Sequence, residues 1–122
     1  MEHYLTANRK GGFYFAQSTL PLLLKARDIS PRPPTLIFTG ATSSVRGSAN
    51  CADFASAKFA LRALAQSLAR EFGPQGVHVS HTIIDGAIDI PRNKSLTFQH
   101  EDAKLSPEAV SHMGHNLYTL KS

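Results

Sequence analysis

The chain carries little that would cross-link, anchor or export it. A single cysteine, Cys51, excludes an intrachain disulfide and suits a reducing compartment, where such a thiol packs as a small apolar residue. No run of about 18 apolar residues occurs, and Leu20-Pro21-Leu22-Leu23-Leu24 is too short to span a bilayer. Met1-Glu2-His3 leads into mixed residues without the apolar core of a signal peptide. The expected location is therefore cytoplasmic, with no membrane partner. Internal repeats and low-complexity tracts are also missing.

Charge of one sign is in modest excess but nowhere concentrated. The net charge is +4 and the pI about 9.5, yet Arg9, Lys10, Lys25, Arg27, Arg32, Arg46, Arg62, Arg70, Arg92 and Lys94 are scattered, with no aromatic platform between them. Nucleic-acid binding is not expected from such a pattern. Arg46 stands apart, in a loop after a predicted strand where a ligand would sit, although a solvated loop arginine is the commoner case.

What is present fits one small globular unit over residues 1–122: 42% of residues are hydrophobic and 18% charged, enough to build a core. Residues 2–26 read as a helix, with Leu5, Asn8, Gly12, Phe15 and Leu23 along one row and a kink at Pro21. Thr35–Thr39 is a short apolar run compatible with a buried strand. A long helix is expected from Ala49 or Asn50 to Phe72, stopped by Gly73-Pro74. Val77–Ile84 reads as a second strand, residues 91–105 as a polar loop, and Ser106-Pro107-Glu108 as the capped start of a last helix. Strand, helix, strand implies a right-handed parallel crossover, hence an α/β fold.

The long helix holds the most informative residue. Phe54, Ala57, Lys58, Leu61, Leu64, Ala65, Leu68 and Phe72 follow the spacing of a core-facing stripe, and a lysine on such a face must snorkel outward or face a polar cavity. No metal site is expected. His78 and His81 fall on opposite faces of a strand, while His112 and His115 share a helical face with only Glu108 as a third ligand. Asp85 and Asp89 follow the second strand, where open α/β sheets collect ligands.

The segment TLIFTGATSSVRGSANCADFASAKFALRALAQSLAREF, Thr35 to Phe72, resembles the core of the short-chain dehydrogenase/reductase family, whose helix carries Tyr-x-x-x-Lys. Here that motif reads Phe54-Ala55-Ser56-Ala57-Lys58. Counting back the family's usual spacing puts its serine on Ala41, with Ser43 and Ser44 close by. Thr6 to Phe13 resembles the helix bearing the family's asparagine, matched by Asn8. The stretch from Gly76 to Asp89 resembles the next strand and its exit loop, with Asp85 for the usual proline and Gly86 and Ile88 retained. These matches span residues 1–92, leaving 93–122 as a divergent tail with a short helix.

The resemblance implies a partial Rossmann-like fold, a doubly wound parallel sheet lacking the N-terminal dinucleotide-binding half. No glycine-rich turn after a first strand occurs in the sequence. It further implies NAD or NADP as cofactor, held in part by Lys58, Asp85, Gly86 and Ile88, and a small carbonyl or alcohol substrate worked on by Lys58, Asn8 and Ser43. With Phe54 and Ala41 at the tyrosine and serine positions, that activity is expected to be impaired or absent. Cofactor binding by this chain alone is expected to be weak at most. The alternative is a non-catalytic interaction module, since family members assemble through the helices matching those of Asn8 and Lys58. The chain is thus expected to be a truncated, divergent member of the family.

Overall fold

The computed structural model describes residues 6–91 and 104–119. A π-helical turn, Thr6–Lys10, runs into helix α1, Gly11–Ala26. Strand β1 is Thr35–Ala41, helix α2 is Ala52–Phe72 and strand β2 is His78–Ile84. Two short strands follow, β3 at Ala87–Ile88 and β4 at Lys104–Leu105, and helix α3 covers Pro107–Thr119.

β1 and β2 pair in parallel over their whole length, from Thr35 against His78 to Ala41 against Ile84. With α2 between them they form the expected crossover. β3 and β4 form a second parallel pair, Ala87 with Lys104 and Ile88 with Leu105. This pair corrects the reading of 91–105 as loop throughout, because two residues are too few to show a strand period in sequence.

One face of the β1–β2 pair carries Leu36, Phe38 and Val79, and these join Ala16 and Leu20 of α1 with Leu61 and Ala65 of α2 in the core. Both helices therefore cover the same face. At their contact Gly12 admits the Leu61 side chain so closely that a Cβ there would lie 2.6 Å from Leu61 Cδ1. The core-facing row on α1 runs Gly12, Ala16, Leu20, of which Ala16 and Leu20 are buried, so Phe15 lies outside it and is 58% exposed. Gly12 fixes that phase, since only the face without a side chain can meet Leu61.

Two helix ends also differ from expectation. α2 begins at Ala52 because Asn50 adopts the left-handed region (φ 61°), which no right-handed helix can contain. At the other end Gly73 stays right-handed and a 3-10 turn, Gly73–Gln75, follows; the left-handed glycine is Gly76, φ 84°. The Arg27 side chain lies over Gly76 and its Nη1 donates to the Gln75 carbonyl at 3.0 Å, tying the end of α1 to the start of β2. Ser106 caps α3 as expected, its Oγ accepting from Ala109 N–H at 3.1 Å.

Candidate functional site

The stripe on α2 directs Lys58 toward the end of β1. Ala57, Leu61 and Ala65 are buried in the contact, and Lys58, next to the most buried of them, is itself only half-buried. Its Nζ donates to the Thr39 carbonyl at 3.1 Å and lies 5.7 Å from the centroid of the Phe54 ring one turn earlier. Burial lowers the Lys58 pKa from its ordinary value, because the apolar surroundings disfavour the ammonium. The position matched to the family's tyrosine thus holds an aromatic face without a hydroxyl.

Beyond Thr39 the strands open into a hollow of about 340 Å³ at their carboxyl ends, walled in part by Ala41, Thr42, Ser43, Arg46, Asp85 and Gly86. The Thr42 hydroxyl donates to the Asp85 carboxylate across the two strand ends, which closes the floor. Ser44 is fully buried, and its Oγ accepts from Ala41 N–H at 3.0 Å. Ser43 is left to face the hollow. Gly86, at φ 152°, turns the chain there in a conformation that side chains rarely adopt.

The structure brings Ser43, Asp85 and Gly86 together and sets Lys58 beside Phe54. Neither Lys58 nor Asn8 lines the hollow. Asn8 is half-buried in the π-helical turn, which packs against α2. Ile88 belongs to β3, opposite Leu105. Asp53 accepts from Phe54 N–H at 2.8 Å, and Ser56 donates its hydroxyl to the Ala52 carbonyl, so both serve the helix start. Among the described residues no three His, Cys, Asp or Glu side chains gather as a metal site, and no helix is long and apolar enough to cross a membrane.

A larger hollow, about 470 Å³, lies at the opposite end of the strands between Arg27, Pro31, Pro33 and Val77. The smaller one is the functional candidate, because ligands of open α/β sheets bind outside the carboxyl ends of the strands.

Sequence reasoning weighed His81 only as a metal ligand. Its ring packs on Gly40, where a Cβ would overlap the imidazole and sit 2.8 Å from Ser44 Oγ. Nε2 is buried with no hydrogen-bond partner among the described residues. Burial, then Arg62, then Lys58 lower the His81 pKa, each by disfavouring the imidazolium. Gly40 was the signal available in sequence, since a glycine inside a strand marks a close approach.

The family model for enoyl-(acyl carrier protein) reductase matches residues 1–119, further along the chain than the resemblance over 1–92. A solved short-chain dehydrogenase from Rhodopseudomonas palustris superimposes with a TM-score of 0.61 and 32% identity, over 86% of this chain and 50% of that one. The chain therefore spans about half the length of that solved relative. No curated protein matches it.

Proposed function

The chain belongs to the short-chain dehydrogenase/reductase family, and from that premise we propose that it derives from a nicotinamide-dependent oxidoreductase of carbonyl and alcohol groups whose proton transfer is impaired. The observation that carries this reading is the Phe54 ring facing Lys58 Nζ at 5.7 Å. General acid catalysis contributes about 10²- to 10⁴-fold and needs an exchangeable proton on the donor. Phenylalanine has none.

The residues fit only one end of a dinucleotide. Lys58, Asp85, Gly86 and Ile88 lie at or near the carboxyl ends of the strands, while the glycine-rich turn that holds a pyrophosphate is missing from the sequence. Ser43 remains as a hydroxyl able to hold a carbonyl oxygen in the hollow. In a fluorescence titration with NADH or NADPH, the expected result is no saturation below about millimolar nucleotide. No reduction of an aldehyde and ketone panel is expected in the same mixture. Micromolar affinity with turnover would overturn the reading.

One observation favours the second reading, an interaction module. α1 exposes Phe13, Tyr14 and Phe15 at 50, 61 and 58%, and α2 exposes Phe59 at 42%. A hollow of about 260 Å³ opens between Arg9, Lys10, Phe13, Tyr14 and Leu64. Exposed aromatic patches of this kind mark association surfaces. Light scattering after size exclusion is expected to give a dimer that Phe13→Ser with Phe15→Ser converts to monomer; a monomeric parent at about 100 µM would remove this reading.

A further inference from the structure

The larger hollow, at the end of the strands away from Ser43 and Gly86, has the make-up of a second ligand site. Its volume of about 470 Å³ falls within the roughly 300–1,000 Å³ of small-molecule pockets. Val77 and Val79, both buried, and Ala69 of α2 line it with apolar surface. Pro31, Pro33 and Pro34 add a wall that has no backbone N–H. That wall is held in shape by the chain itself. The Thr35 hydroxyl donates to the Pro33 carbonyl at 3.0 Å, and His78 N–H donates to the Pro34 carbonyl at 2.8 Å. Two carbonyls that would otherwise repel negative charge are thereby engaged.

The polar groups on the same hollow are donors. No Asp or Glu is among the residues that line it. Arg27 is taken up by the Asp28 carboxylate, 3.0 Å from its Nε, and by the Gln75 carbonyl, whereas among the described residues nothing pairs with the Arg32 guanidinium. The Ser30 hydroxyl accepts from Arg32 N–H at 3.3 Å and keeps its own proton to donate. The His78 imidazole, on the same lining, carries at least one N–H. We propose that this hollow binds a small organic anion with an apolar body, an aryl carboxylate for example. Arg32, with Ser30 and His78, takes the charged end, because a guanidinium fork matches the two oxygens of a carboxylate. The body lies on Val77, Val79 and the prolines. Such a ligand bridges the connection after α1 and the start of both strands, so occupancy stabilises the fold by mass action.

The test is a calorimetric titration of the full chain with sodium 2-naphthoate, beside the neutral 2-naphthamide of nearly the same shape. One site with a Kd below about 1 mM is expected for the acid, and at least about tenfold weaker binding for the amide. Equal affinities, or no saturation by about 10 mM naphthoate, would overturn the proposal without any variant having to fold. Arg32→Gln is expected to weaken naphthoate at least about tenfold; the residue is exposed and lies outside every helix and strand, so the fold does not depend on it. Arg46 is the arginine of the other hollow. Loss of binding in Arg46→Gln with none in Arg32→Gln would put the anion there and equally overturn the proposal. In proton spectra the His78 ring resonances are expected to move on saturation while those of His112 and His115, both exposed on α3, stay in place. A stationary His78 would remove the site.

Discussion

Lys58 and Phe54 form a tunable pair at the scale of single residues. Replacing Phe54 with tyrosine would set a phenol one helical turn from the ammonium, where a nearby positive charge favours the phenolate. In a difference titration at about 295 nm, the phenol added by Phe54→Tyr is expected to ionise below pH 10, the ordinary tyrosine value. An ordinary midpoint would place the amine out of reach. His81 makes a second prediction, with the sign fixed by its lowered pKa. Between its folded value and the ordinary 6.5, the unfolded chain binds more protons than the folded one, so stability rises with pH across that window and levels above it. The groups acting on the imidazole are Arg62 and Lys58 from α2, with Gly40 and Ser44 against the ring from β1 and its turn. Urea midpoints are expected to climb as the pH rises toward about 6.5 and to level above it, and His81→Leu is expected to flatten that rise.

At the scale of elements, Pro21 stands inside α1 and is exposed, withholding the N–H due to the Gln17 carbonyl. Pro21→Ala is expected to stabilise the chain by about 1–3 kcal/mol, read as a higher thermal midpoint. A lower midpoint would show that the proline ring packs usefully. The same elements show what a sequence can and cannot disclose. The α2 stripe was legible because Ala57, Leu61 and Ala65 keep helical period over about two turns, and the capped start at Ser106 because side-chain capping is local. The phase of α1 was not legible, since it depends on Leu61 filling the space at Gly12 from another element. The start of α2 turned on the backbone of Asn50. The hollow gathers Ser43, Asp85 and Gly86 from the loops after the two strands, whereas the Thr42–Asp85 bond and the seat of His81 on Gly40 needed the strands in register.

At the scale of the whole molecule, Leu61 is the joint between both helices and the sheet. It is 6% exposed and meets α1 at Gly12. Leu61→Ala is expected to cost about 2–5 kcal/mol in urea unfolding, in one cooperative transition if α1 and the crossover fold together. Loss of α1 signal ahead of the rest would show two separable pieces. The parallel ladder also gives the molecule a mechanical direction. Its bonds are evenly spaced and slanted, running from Thr35 against His78 to Ala41 against Ile84. Tension applied between Thr35 and Ile84 would load the whole ladder at once, in shear. Tension between Thr35 and His78 would peel it one bond at a time, so the same pair of strands should resist a pull along one axis and yield to it along the other.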